Sequence, residues 1–139
     1  MKQVEHTTQI KIPFFDVDRL DIVWHGHYVK YFEIARCALL DKLGYNYNTM
    51  KETGYAWPVV ELKVKFVRPA IFGQLVNVQA ILVEYENRLK INYLISDHKS
   101  AEKLTQGSTT QLAIDIETNE LQFVSPQLLQ QKVQDYPHA

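Results

Sequence analysis

Tyr28, Phe32, Ala35, Leu39 and Leu43 fall at i, i+4, i+7, i+11 and i+15, the repeat of one helical face. Tyr31, Ile34 and Ala38 run beside them as a second row. A helix apolar on two rows is mostly covered by other structure. The pattern predicts one long helix that opens at His25-Gly26-His27 and stops at Gly44, a residue suited to the left-handed C′ position. Lys30, Glu33, Asp41 and Lys42 interrupt this surface and must find water, a partner or a subunit boundary. Glu33 and Arg36 stand at the spacing of an i, i+3 ion pair.

Elsewhere the period changes to two, the signature of a strand with one buried face. In residues 7–14, Ile10, Ile12 and Phe14 face one way and Gln9, Lys11 and Pro13 the other. Pro13 has no N–H, which places this strand at a sheet edge or ends its pairing there. Residues 45–55 are polar and turn-prone, a loop with room for a short helical turn. A strand follows Trp57-Pro58, with Val60, Leu62, Val64 and Phe66 toward the core and Glu61, Lys63, Lys65 and Val67 toward water. Further strands are predicted at 74–86, 89–97 and 103–116, with hairpin turns at 84–87 and 97–100. The last of these is unusually rich in Gln and Thr. Ser125-Pro126 reads as an N-cap with Pro at N1, opening a helix over 126–134. One helix packed on an antiparallel sheet of about five strands is an α+β layer fold. A helix apolar on more than one side suits a sheet that curls around it, and leaves an edge or the outer face for another subunit. With no repeat or linker, residues 1–139 are expected to form a single domain.

Composition narrows the function. Lys+Arg 15 against Asp+Glu 16 gives a net charge of -1. That leaves no basic excess to hold a phosphate backbone, so nucleic acid is not the expected partner. The single cysteine, Cys37, cannot form an internal disulfide and reads as a small core residue. The first residues carry no apolar leader, and no run is long enough to span a bilayer, so the expectation is a cytoplasmic protein without membrane insertion.

The densest chemistry lies just before the long helix, in the acidic loop of Asp16, Asp18 and Asp21. Carboxylates there face the free N–H groups and positive end of the helix dipole. By themselves they read as helix caps or strand ends. A mononuclear metal site from Asp16, Asp18, His25 and His27 is a further reading. A calcium loop fails, because its sixth position holds Asp21 in place of Gly and its twelfth His27 in place of Glu. The Asp phosphatases of the haloacid-dehalogenase type fail as well. Leu20 stands where they need Thr or Val, and no doubly wound domain follows.

The segment FFDVDRLDIVWHGHYVKYFEIAR resembles the signature of the 4-hydroxybenzoyl-CoA thioesterase family and is similar to acyl-CoA thioesterases found with the Tol-Pal system. Asp16, Asp18, Ile22, Val23, Trp24, His25, Tyr28, Tyr31, Phe32, Glu33, Ala35 and Arg36 carry the likeness. Leu20, Asp21 and His27 depart from it. The resemblance implies a hotdog fold, a curled antiparallel sheet wrapped around the long helix, in a homodimer or homotetramer with active sites at subunit boundaries. It implies hydrolysis of an acyl-CoA or acyl-carrier-protein thioester without cofactor or metal. Asp18 is then the nucleophile or general base, and the His25 N–H, beside Gly26, polarises the carbonyl. Arg19 and Trp24 are expected to meet the substrate, and Arg68, Arg88 and Lys90 are candidates for the CoA phosphates. Two alternatives stand beside this reading: a hotdog dehydratase, and a module that binds acyl thioesters without cleaving them.

Overall fold

The computed structural model describes residues 3–136. Strand β1 (Glu5–Lys11) comes first and ends before Pro13, followed by one 3-10 turn at Phe14–Asp16. Helix α1 (His27–Leu43) and the short α2 (Tyr47–Glu52) precede β2 (Tyr55–Ala56) and β3 (Val59–Phe66). Then come β4 (Leu75–Glu84), β5 (Leu89–Asp97), β6 (Lys103–Gln111), β7 (Ile114–Asp115) and α3 (Gln127–Gln134). Five strands form an antiparallel sheet in the order β1-β4-β5-β6-β3, and β2 pairs with β7 apart from it. The sheet does not close: β1 and β3 are its two edges. Register shifts in β3–β6, β4–β5 and β5–β6 mark bulges, which bend strands and increase their twist. The long helix against one face of this sheet is the hotdog arrangement.

The first helical row is buried as the pattern requires: Tyr28, Phe32, Ala35, Leu39 and Leu43. The second is not. Tyr31 is buried, but Ile34 is exposed and Ala38 only half-buried, while Arg36 and Leu40 take the covered positions. Cys37 is half-buried, and burial pushes its thiol up. The i, i+3 pair does not form either. Glu33 is exposed, whereas Arg36 turns inward, 6% exposed, and its Nε donates to the Tyr47 hydroxyl at 2.8 Å. A planar donor fork beneath the sheet is better satisfied by hydroxyls there than by a carboxylate that would have to leave water.

Gly107 decides how close α1 comes to the sheet. A Cβ there would stand 2.5 Å from the Phe32 ring and 2.5 Å from the Lys63 carbonyl oxygen. The bare backbone lets Phe32 stack on Tyr93, whose ring lies 4.5 Å away at 10°. Tyr93 in turn shares a hydrogen bond with Thr109 at 2.7 Å. Thus the Gln- and Thr-rich β6 is an inner strand, and Thr105, Ser108, Thr109, Thr110 and Gln111 are all buried.

Several boundaries differ from the sequence reading. Phe14 leaves the core face and is 73% exposed, because the chain turns out of β1 after Ile12. The segment expected at 103–116 is two strands, β6 and β7, in different sheets. The short helical turn for which residues 45–55 left room does form, as α2, capped by the Asn46 side chain, which accepts from Thr49 N–H at 3.0 Å. Pro126 is itself the N-cap of α3, and the Ser125 hydroxyl makes no cap bond. The apolar face of β3 is largely uncovered: Val60, Leu62 and Phe66 are exposed, Val64 is half-buried against the core, and Phe66 meets α1 only through the Tyr28 ring at 5.3 Å.

Gly107→Ala is expected to destabilise the fold by about 1–3 kcal/mol through overpacking. Thermal unfolding measures it, and an unchanged midpoint would show that Phe32 can withdraw freely.

Candidate active site

The chain leaves β1, makes its 3-10 turn and enters a tight loop over residues 16–24. Val17 bridges Val23, and Asp18 N–H donates to the Ile22 carbonyl at 2.9 Å. Asp21 N–H donates back to the Asp18 carbonyl at 3.0 Å. Asp21 adopts φ 61°, the left-handed region, which Asp tolerates better than most residues. Asp21 is one of the positions at which the segment departs from the family pattern. One oxygen of the Asp18 carboxylate, Oδ1, accepts the Leu20 N–H at 2.8 Å, which fixes the side chain in an Asx turn. Oδ2 makes no hydrogen bond within the described residues.

The loop returns to the start of α1. Gly26 is the N-cap, with no side-chain cap. Neither Asp16 nor Asp18 caps the helix. His27 N–H is used, donating to the Trp24 carbonyl at 2.9 Å. Among the described residues the His25 and Gly26 N–H groups have no acceptor. Gly26 is required by Trp24, whose ring would lie 2.1 Å from a Cβ at this position. The indole lies instead against His25, at 4.9 Å between centroids, and against His27 at 5.4 Å.

Asp18, Trp24, His25, Tyr28, Phe66 and Arg68 surround a cavity of about 330 Å³. The segment after β3 is tied to the helix start at Ala70. Its N–H donates to the Tyr28 hydroxyl at 3.0 Å, and its carbonyl accepts Val23 N–H at 2.9 Å. Tyr28 is therefore a core residue whose hydroxyl shapes the wall. Larger hollows exist elsewhere: about 470 Å³ on the outer sheet face and about 660 Å³ between α2 and the β2–β7 pair. Neither contains a carboxylate or a histidine.

Four of the residues anticipated from the sequence thus meet at one cavity: Asp18, Trp24, His25 and Arg68. Gly26 follows His25 in the chain but does not itself line the cavity. Arg19 lies exposed in the turn and does not line it. Arg88 and Lys90 are not brought there by this chain. Lys90 is opposite Thr110 and Phe66 opposite Thr105, a separation of about 17 Å at strand rise. Arg88 pairs with Glu84 at 2.8 Å instead. Arg68 stands 3.5 Å from Glu102 in an exposed, solvent-screened pair. Phe66 was not anticipated at the site, although its place in the β3 alternation put it on this face.

Behind the loop lies Asp16, only 2% exposed. Lys30 Nζ donates to both its oxygens, at 2.7 and 2.8 Å, and the Tyr31 hydroxyl donates to Oδ2 at 2.6 Å. His27 Nδ1 is 3.9 Å from Oδ1. Burial raises the Asp16 pKa, but the hydrogen bonds from Lys30 and Tyr31 and the charges of Lys30 and His27 outweigh it, leaving the carboxyl below its ordinary value. Burial and the Asp16 anion push the Tyr31 hydroxyl up. Among the described residues no three His, Cys, Asp or Glu side chains cluster as metal ligands. No described helix is long and apolar enough to cross a membrane.

A sheet packed on a long helix, with a carboxylate loop at the helix start, defines a class: hotdog thioester hydrolases. A family profile described as the Thioesterase-like superfamily matches residues 12–132, and the chain belongs to that superfamily. The Bacillus subtilis protein named "Putative acyl-CoA thioesterase YneP" is 26% identical over 111 residues, 79% of this chain and 80% of that protein. DHNA-CoA thioesterase from Staphylococcus aureus superposes with a TM-score of 0.77 at 29% identity, over 84% of this chain and 78% of that one. Slr0204, a 1,4-dihydroxy-2-naphthoyl-CoA thioesterase from Synechocystis, superposes with a TM-score of 0.86 over 97% and 99% of the two chains. At 21% identity, that likeness speaks for the fold.

The Asp16 carboxyl has a folded pKa below its ordinary 3.8, so its contribution to stability is present above that pH and is lost as pH falls through the folded value. The stability gap between the wild type and Asp16→Asn is therefore expected to hold from neutral pH to about 4 and to close below it. Urea unfolding across pH measures this; a gap that closes near neutrality would assign the effect to another group.

Proposed function

We infer that the protein hydrolyses acyl-CoA thioesters, with Asp18 as the reacting carboxylate. The observation that carries this is the meeting of Asp18 with His25, whose N–H has no acceptor among the described residues, at a single cavity beside the start of α1. The thioester oxygen faces that amide, where the helix dipole adds roughly half a positive charge. Donors of this kind contribute about 10²–10³-fold when negative charge develops on the oxygen. Asp18, with Oδ1 held by Leu20 N–H, uses Oδ2 to take a proton from water as it adds to the carbonyl carbon, or attacks that carbon itself. On the water route, collapse of the tetrahedral species breaks the C–S bond, and the thiol leaves with the proton that Asp18 took. On the direct route the collapse expels the thiolate and leaves an acyl-aspartyl anhydride. Water then hydrolyses the anhydride to the free acid and the regenerated carboxylate, and the proton released passes to the thiolate. Trp24, Phe66 and the His25 ring give the acyl group an aromatic wall, and Arg68 offers a cation toward the CoA phosphates. The D-V-D loop further supports a place near the 4-hydroxybenzoyl-CoA thioesterases within the superfamily. The family relatives favour hydrolysis over dehydration or simple binding.

The working unit is a homodimer joined through β3. This edge strand leaves its backbone groups and Val60, Leu62, Phe66 and Val67 uncovered. Edges of this kind are normally blunted or paired, and here the edge runs up to the cavity at Phe66.

Asp18→Asn is expected to lower turnover at least about 10²-fold with fold and oligomer unchanged. Release of free thiol from a panel of aromatic and aliphatic acyl-CoA substrates reads this out. Near-normal rates would remove Asp18 from the mechanism. Leu62→Lys, in the middle of the exposed edge, is expected to shift the protein toward monomer in sedimentation; an unmoved distribution would place the interface elsewhere.

A further inference from the structure

We propose that Asp16 and Lys30 form a clasp that positions the reacting loop, so that their loss appears in turnover and not in substrate affinity. The proposal rests on Asp18 being the reacting group. Asp16 joins three separate pieces of chain. Its main chain leads directly out of the 3-10 turn after β1 into Val17 and Asp18. Its carbonyl accepts Trp24 N–H at 3.1 Å, on the residue before His25. Its carboxylate reaches the first turns of α1, through Lys30 at 2.7 and 2.8 Å and Tyr31 at 2.6 Å.

Both halves of the proposed chemistry hang from this residue. Asp18 lies two positions along the chain on one side. The His25 and Gly26 amides follow the Trp24 bond on the other. On the Asp18 side the grip on α1 ties the loop to the helix directly, whereas the Trp24 side is also tied through Val23 and Ala70 to the Tyr28 hydroxyl and through Trp24 to His27 N–H. The Val17–Val23 bridge and the Asp18–Ile22 bond hold the loop together internally, but neither touches the helix. Asp16 does not line the cavity, so it touches no substrate. A buried carboxylate is also a costly way to make a purely structural joint, because its charge must be fully compensated. What it adds is stiffness: three charge-assisted or short bonds converge on one group. A shift of about 1 Å in a reacting group can lower rate by about 10²-fold without loss of binding contacts.

Steady-state kinetics on the full chain, with an acyl-CoA that the wild type hydrolyses, test the clasp beside Asp18→Asn. Asp16→Asn and Lys30→Met are each expected to lower kcat by about tenfold or more while KM stays within about threefold. The double variant is expected to be no slower than the slower single one, because the two residues act as one unit. Lys30→Arg, which keeps charge and donors, is expected to recover most of the kcat lost in Lys30→Met. Lys30 is 43% exposed, so Lys30→Met decides the matter even where Asp16→Asn fails to fold. Wild-type kcat in Lys30→Met, a loss confined to KM, or additive losses in the double variant would overturn the proposal. Intact Asp16→Asn and Lys30→Met beside an inactive Asp18→Asn removes the clasp alone. An active Asp18→Asn removes the functional reading beneath it.

Discussion

A carboxylate with almost no exposed surface lies where β1 gives way to the acidic loop of residues 16–24. Removing such a charge from water costs several kcal/mol unless partners replace the lost hydration. Asp16 finds them in Lys30 and Tyr31, both on the first two turns of α1. The compensation is possible only if the loop and the helix start are held against each other. The position of Asp18, the path through Trp24 and the exposure of the His25 and Gly26 amides follow from that contact. Lys30 gives the apolar helix a cation that can reach inward while part of its stem stays in water.

The helix is positioned in turn by the sheet. Gly107 removes the one side chain that would keep Phe32 away from β6, and Tyr93 offers the ring on which Phe32 stacks. The same closeness explains the polar character of β6. Part of it is satisfied, by the Tyr93–Thr109 pair and the Gln111 Nε2 bond to the Trp57 carbonyl at 2.7 Å, while the Thr105 and Thr110 hydroxyls and Gln111 Oε1 are buried without a hydrogen-bond partner. Arg36 belongs to this network, not to the exposed side of the helix. A fold of this kind sets its helix at one distance and one angle, and so presents the N-terminal amides in one direction.

The loop and the cavity are also where the chain departs from ordinary local preferences. Asp21 occupies the left-handed region, Gly26 leaves room for an indole ring, and two amides stay without acceptors. Each departure is local, and each lies within one or two residues of the cavity's lining. Positive φ at Asp21 lets the Asp18–Asp21 turn close tightly, which returns the chain to the helix within a few residues. The exposed aromatic residues beside it, Phe14, Phe15 and Phe72, lie outside the cavity wall.

The sequence by itself determined the elements and their order, because periods of 3.6 and 2 are written in local side-chain choice. The long helix, the strand of residues 89–97 and the acidic loop at the helix start were all legible, as were Asp18, Trp24, His25 and Arg68 as site candidates. Only the tertiary structure decided which faces meet. Periodicity identifies an apolar row without saying what covers it, so Ile34 and most of the face of β3 were expected inside and lie exposed. It does not reveal long-range pairs such as Asp16 with Lys30 or Arg36 with Tyr47, since those depend on distances between distant segments. Nor does local pattern tell that Arg88 and Lys90 sit at the far end of the sheet from Asp18: strand register is fixed by bulges and by the close approach at Gly107, and both are properties of the packed molecule.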